Sequence, residues 1–419
     1  MTEIKAAETN KTHGSNKDIK YNLAIFFTDG VFFKLSMTLL SITTIIPFFL
    51  EQLGASTFQV AMVVSIAIIC NFVSLPLFVS YVSRARMIGK TFSRILFTQR
   101  LIFLAYVLSI PFLPNHTLIW MFLFFWGVFN LFVGSYHVFY TPLVIKLLPP
   151  EKRGFVRGIG FAAGSILSAV AAMALIPMLL GRFPFPYNFV IIFILGMLFL
   201  LGDAALFGIV REKDEGVPHF PLKATQFIKE IPTTLRENTA FRTVITVSIF
   251  LVVANSLLTF YTVYAIRVFS ATEAHIAILT GIAVIANAVA YISFGAVVDR
   301  LGAKVTLRIA AFLLILAGSL ALLTHSLNFL FVAWALANLA FSCYMIGVTP
   351  VLGEICPSEK LPLCTGVQTI IGLILSTFVL FLLAPALEHF GFKLLFVVVL
   401  FCGTISLLLN LLFLRSKRS

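Results

Sequence analysis

The chain has 419 residues, of which 60% are apolar and only 11% charged. Soluble domains sit at roughly 45–50% apolar and about 25% charged, so this composition excludes an ordinary globular protein. The net charge of +13 would point to nucleic acid in a soluble chain, but its distribution along the sequence argues against that partner.

Apolar runs of about twenty residues recur along the whole chain, as membrane-crossing segments do. Twelve are counted: 24–50, 57–82, 96–113, 118–145, 155–179, 186–210, 241–267, 272–298, 305–324, 328–353, 361–386 and 392–414. The bilayer interior offers no water to backbone groups, so these runs must be helices. The expected fold class is an all-α, multi-pass membrane protein. With the N-terminus placed inside, 25 of the 30 Lys and Arg fall in inner segments and three, Arg182, Arg267 and Lys393, in outer ones. By the positive-inside rule both termini are cytoplasmic. The basic charge is topology, and no nucleic-acid partner is expected.

Residues 1–20 are polar and read as a disordered cytoplasmic tail, without the apolar core of a signal peptide. Span 1 follows with "FFTDGVFFKLS" (26–36), which holds two charges. Asp29 shares a helical face with Ser36, Thr43 and Pro47, while Lys34 points about 140° away. The pair therefore does not bridge within its own helix. A charge at such depth costs at least about 3 kcal/mol on insertion scales and marks function by default. Asp29 is the candidate protonatable carboxylate for proton coupling. Asp203 on span 6 is the acid nearest in depth to Lys34, and a structural Lys34–Asp203 pair is expected. Arg100, at the start of span 3, reads as snorkelling to the inner headgroups.

Spans 2 and 8 carry Asn71 and Asn287, placed on the substrate pathway, with hydrogen bonding between helices as the competing use. Span 4 lines up Trp126, Asn130, His137 and Thr141 within about 60° of one another, with Tyr140 beside them. His137 is a second candidate for proton exchange, its unperturbed pKa being about 6.5. Span 5 carries a ladder of small residues, Gly160, Gly164, Ser168 and Ala172, suited to close helix packing. The five cysteines show no CxxC spacing and read as free buried thiols, so no metal or cofactor is expected.

A shift of 208 lays residues 119–177 on 327–385 without a gap, with 16 of 59 positions identical. Trp126, Asn130 and Tyr136 fall on Trp334, Asn338 and Tyr344, and Thr141-Pro142 on Thr349-Pro350; Met345 replaces His137. A second block aligns at a shift of 216, putting Asn71 on Asn287. The chain is thus a duplication: tail 1–20, first half 21–210, central cytoplasmic loop 211–240, second half 241–414 and basic tail 415–419. The substrate pathway is drawn from both halves: Asn71, Asn130, His137, Tyr140 and Thr141 from the first, Asn287, Asn338 and Tyr344 from the second.

Between spans 8 and 9, residues 295–307 read "GAVVDRLGAKVTL". This resembles the signature loop of the major facilitator superfamily, G-x-x-x-D-R-x-G-x-[RK]-x-x-L. The matching residues are Gly295, Asp299, Arg300, Gly302, Lys304 and Leu307. The resemblance implies a fold of six plus six helices in two pseudo-symmetric halves, and a gating role for Gly295, Asp299, Arg300, Gly302 and Lys304. In the first half, Val79 and Ser83 stand where the glycine and aspartate would be. The same resemblance implies a secondary transporter working by alternating access, with spans 1, 4, 7 and 10 around its cavity. Their aromatic lining suits an amphipathic or uncharged solute, and proton-coupled efflux by an antiporter fits best. Uptake by proton symport is the first alternative; a binding or scaffold protein that has lost transport is the second. No P-loop and no catalytic cluster occurs, so neither an enzyme nor an ATP-driven pump is expected. The expected partners are a small-molecule substrate, protons and the lipid bilayer, for a chain working as a monomer in a bacterial inner membrane.

Overall fold

The computed structural model describes residues 16–82, 85–213, 239–356 and 361–413, and every regular element among them is helical. Ten of the described helices are long and apolar enough to cross a bilayer. Span 1 comes in two pieces, Asn16–Leu39 and Ile45–Gln52, and span 2 is Thr57–Val82. Span 3 is Ile88–Ser109, span 4 Asn115–Leu147 and span 6 Tyr187–Gly208. Span 5 runs from Pro150–Val170 through a π-helical turn, Ala171–Leu175, to Ile176–Arg182. Span 7, like span 1, is broken: Thr239–Ser256, then Thr259–Phe269. Spans 8 to 12 are Glu273–Leu301, Ala303–Leu322, Leu327–Ile355, Leu361–Phe390 and Lys393–Phe413. This is an integral, multi-pass, all-α membrane protein.

Several helices extend beyond their apolar runs. Span 1 begins at Asn16, inside the stretch assigned to a disordered tail, and span 3 begins at Ile88, not 96. Hydropathy marks only the hydrocarbon-facing length, whereas a helix continues wherever its polar turns find partners. Those partners are visible. Arg211 pairs with Asp18 at 2.9 Å, stacks on Tyr21, and exchanges backbone hydrogen bonds with the Asn22 side chain. The next residue, Glu212, accepts from the backbone N–H groups of Ile88 and Gly89 at 3.0 and 2.9 Å and from Lys146 at 3.1 Å. A carboxylate against free N–H groups at a helix start is a favourable cap. Two residues after span 6 thus tie together the start of spans 1 and 3 and the end of span 4. The remainder of the 1–20 tail, most of the 211–240 loop and the 415–419 tail lie outside the described residues.

The chain divides into two compact units. One comprises Met1–Ser41 and Ile69–Pro221; the other comprises Ile42–Ile68 and Leu222–Ser419. The second piece of span 1 and the beginning of span 2 therefore pack with the second half of the sequence.

In the first unit, span 1 packs on spans 5 and 6, and span 3 on spans 4 and 6. The small-residue ladder of span 5 makes the first of these contacts. A Cβ at Gly160 would meet the Phe27 carbonyl oxygen at 2.7 Å, and one at Gly164 would meet Lys34 Cβ at 2.8 Å and Val31 Cα at 2.9 Å. Only glycine allows this approach, which sets span 1 in place and with it Asp29 and Lys34.

In the second unit, the broken middle of span 1 is repaired by span 7. Carbonyls freed by the break accept from threonine hydroxyls: Ile42 from Thr259 at 3.2 Å and Thr43 from Thr262 at 2.6 Å. Thr280 adds a hydroxyl contact to Thr44 at 2.8 Å. Irregular backbone at membrane depth survives only where it is satisfied in this way. Glu51 lies past the apolar run that ends at Leu50, and Arg267 makes a two-pronged bond to it at 2.9 and 3.0 Å. Arg267 also reaches Thr57 and the Ala55 carbonyl. Burial holds the Glu51 carboxyl above the usual glutamate range, against the opposing pull of Arg267. Thr57 is fixed further by its backbone N–H donating to Glu388 at 2.9 Å.

Candidate functional site

The first unit contains a buried charged cluster at the meeting of spans 1, 3, 4 and 6. Asp29 and Asp203 are fully buried, and Arg100 is 3% exposed. Arg100 donates to Asp203 at 2.5 Å and to Gln99, whose own amide donates to the Phe129 carbonyl at 2.8 Å. Asp29 accepts from the Tyr136 hydroxyl at 3.3 Å and lies beside Tyr140 and Asp203. The other oxygens, Oδ2 of Asp29 and Oδ1 of Asp203, are buried without a hydrogen-bond donor among the described residues. Two neighbouring carboxyl groups are accompanied here by one guanidinium, which bonds Asp203, so a single proton would balance the charge of the cluster.

Two expectations are corrected. Asp203 pairs with Arg100, not Lys34, and Arg100 does not snorkel to the headgroups. Both errors come from starting span 3 at 96. The helix begins at Ile88, so Arg100 stands twelve residues in, about 18 Å along the axis, at the depth of Asp203. Lys34 points instead toward span 5, with its Nζ 5.0 Å from the Phe161 ring centroid.

Beside the cluster, aromatic rings form a chain. Tyr140 stacks on Tyr136 at 4.8 Å, Tyr136 on Phe33 at 5.8 Å, and Phe33 on Phe161 at 6.1 Å. Arg157 closes the circuit, 5.3 Å from the Tyr140 ring and 5.2 Å from Phe161. Tyr140, Thr141 and Arg157 line a cavity of ≈ 240 Å³ together with Phe26, Val144 and Arg153. The structure therefore gathers Asp29, Lys34, Asp203, Tyr140 and Thr141 around one location.

The other pathway candidates are held by contacts of their own. Asn130 and Asn338 each donate back to their own helix, to the carbonyls of Trp126 and Trp334 at 2.8 and 2.9 Å, and neither lines this cavity. Asn287 accepts from Ser342 at 2.7 Å, joining spans 8 and 10. Asn71 has a buried side-chain oxygen without a donor among the described residues. Tyr344 accepts from Gln368 at 2.7 Å. The side chains of His137 and Asp299 lie outside the described residues, and so does the packing of Gly295. In the rest of the signature loop, Gly302 sits at φ +86° between spans 8 and 9, a backbone that favours glycine. Arg300 is exposed in the last turn of span 8, and Lys304 pairs with Glu354 at 3.6 Å.

Tyr136, Arg100, Arg157 and Phe161 were not marked as site residues from sequence. A signal for Arg100 did exist. Arg308, on which the same shift of 208 places Arg100, donates to Asn410 at 2.9 Å, joining spans 9 and 12 as Arg100–Asp203 joins spans 3 and 6. The second half thus keeps the contact with a neutral amide where the first half has an acid.

Residues 245–419 match the sequence model of the Major Facilitator Superfamily. No curated protein matches the chain. Among solved structures, a D-xylose–proton symporter is similar with a TM-score of 0.69 at 16% identity, covering 96% of this chain and 99% of its own. A bacterial homologue of the human lysosomal transporter Spinster, in an inward-facing and unoccupied conformation, gives 0.64 at 14%, covering 97% and 100%. A POT family transporter in complex with 5-aminolevulinic acid gives 0.68 at 14%, covering 94% and 95%. At these identities the likeness is one of fold.

Proposed function

We propose that this chain, whose residues 245–419 match the Major Facilitator Superfamily model, is a proton-coupled secondary transporter of that type for a small amphipathic molecule, with the Asp29–Asp203 pair as its proton site. The buried pair is the observation that carries the proposal. Asp203 bonds the one guanidinium, Asp29 lies beside it, and each carboxyl keeps an oxygen without a donor among the described residues, so a proton taken up there supplies a missing hydrogen bond. The position beside the aromatic cavity lets substrate occupancy and proton occupancy influence each other. The chain works in a bacterial inner membrane, as a monomer, with both termini in the cytoplasm.

Export is the direction favoured by the apolar, aromatic lining, which collects amphipathic solutes from the inner leaflet or the cytoplasm. A second reading, uptake by symport, is favoured by the placement of Lys34 and Arg157. An anion held near them would stabilise a proton on the neighbouring carboxyl pair, and the two would travel together.

The test is flux in liposomes reconstituted with the purified chain, with an imposed pH gradient and a panel of amphipathic solutes. Gradient-driven movement in wild type, lost in Asp29→Asn while solute exchange persists, supports the proposal. Movement that ignores the gradient contradicts it, and absence of any flux supports a non-transporting protein instead. The sign of the gradient that drives accumulation separates symport from antiport.

A further inference from the structure

We propose that Arg157 forms a subsite for an anionic group, a carboxylate or phosphate ester, carried by the amphipathic substrate. The guanidinium lies over the Tyr140 and Phe161 rings at 5.3 and 5.2 Å. Among the described residues it makes no hydrogen bond or ion pair, yet it lines the ≈ 240 Å³ cavity. Guanidinium stacked on aromatic faces keeps its N–H edge available for planar, two-point contact with a carboxylate or phosphate. Its neighbour Arg153 is used differently. Nε and Nη2 of Arg153 donate to the Leu148 and Ile145 carbonyls at 2.9 and 3.0 Å, so that side chain holds the turn between spans 4 and 5.

Two further features point to a negative ligand. Lys34 sits 5.0 Å from the same Phe161 ring, so a second cation adds to the positive potential on this side of the cavity. Among the described residues no acidic side chain lines the cavity, whose remaining wall is largely apolar: Phe26, Val144, Ile145, Leu148 and Val156. A charged end and an oily body are therefore accommodated side by side. The same chemistry is offered by a lipid headgroup, so the experiment must separate the two sources.

This inference deepens the transporter reading and rests on it for the word substrate, but its test needs no flux. The purified full chain is placed in nanodiscs of phosphatidylcholine alone, and binding of radiolabelled 1-naphthyl phosphate and neutral 1-naphthol is measured by equilibrium dialysis. The phosphate ester is expected to bind saturably. Arg157→Gln should weaken it about tenfold or more, the range for a lost charge-assisted bond. Arg157→Lys, which keeps the charge but not the fork, should fall between, and 1-naphthol should bind all three alike. Equal affinity of the ester for wild type and a monodisperse Arg157→Gln overturns the proposal. Should Arg157→Gln not fold, equal loss of ester and naphthol binding in Arg157→Lys overturns it. A second set of nanodiscs contains phosphatidylglycerol. Ester binding retained there supports a substrate subsite, whereas its abolition assigns the site to a lipid headgroup and overturns the substrate claim. Failure here leaves the proton-coupling reading standing, and failure of pH-driven flux leaves ester binding untouched.

Discussion

Replacing Arg100 with leucine should be among the most damaging single changes in the first unit. The substitution leaves Asp203, fully buried, without its 2.5 Å partner and next to a second buried acid, Asp29. Removing one member of a buried pair typically costs about 3–5 kcal/mol, because the remaining charge loses its compensation. For a unit of this size that corresponds to a fall in melting temperature of roughly ten degrees or more. The assay is thermal unfolding of the purified chain in nanodiscs, followed by tryptophan fluorescence. The double variant Arg100→Leu/Asp203→Leu should recover most of the loss, since it removes the orphaned charge together with its partner. Asp203→Asn alone should be milder than Arg100→Leu, because the second half already runs the equivalent contact as Arg308 with Asn410. A loss below about 1 kcal/mol for Arg100→Leu would place the pair in water, where exposed ion pairs contribute that little, and would refute the reasoning.

Gly164→Leu forces side-chain atoms into Lys34 and the span 1 backbone, and should cost about 1–3 kcal/mol by the same thermal assay. Gly302→Ala meets open space, but φ +86° with ψ 152° is a backbone essentially confined to glycine, so strain of about 1–3 kcal/mol is expected, with Gly302→Asn no milder. Thr262→Val removes the donor to the Thr43 carbonyl and should cost about 1–3 kcal/mol, the penalty for an unsatisfied buried acceptor, whereas Thr262→Ser should restore the bond. Glu51 carries the pH test. Its folded-state carboxyl is held above the ordinary range, so protonation favours the fold, and stability from this group is lost as pH rises through that raised value. The melting temperature should therefore climb in wild type as pH falls toward the ordinary glutamate value of about 4.3, and the climb should be smaller in Glu51→Gln.

The helical, membrane-spanning architecture was legible because a chain with so many apolar runs of twenty residues can shelter them only in a bilayer, and the signature loop with the internal duplication identified the fold. The burial of Asp29 was also legible, since a carboxylate so deep in span 1 stands out in the sequence, and the structure encloses it fully beside Asp203. What escaped was the partner of Asp203. Hydropathy sees only the oily part of a helix, and the eight residues from Ile88 to Ile95 continue span 3 on capping bonds to Glu212. That extension moved Arg100 from the membrane surface into the core. Arg157 was missed for a different reason: it falls within the fifth apolar run, 155–179, but its charge counts there only toward topology, whereas in the structure its guanidinium lies over two aromatic rings. The Trp–Asn repeat has two readings. It pointed to a substrate path, but Asn130 and Asn338 each donate to their own helix backbone, a use that a duplication preserves equally well.

Whether Asp29 and Asp203 share one proton is tested most directly by infrared difference spectra of the chain in nanodiscs, recorded across a pH titration. The signal is the carbonyl stretch of a protonated carboxyl. A shared proton predicts a titrating band in wild type that is lost or displaced in both Asp29→Asn and Asp203→Asn, because each residue supplies half of the site. A band that persists unchanged in either variant would contradict it.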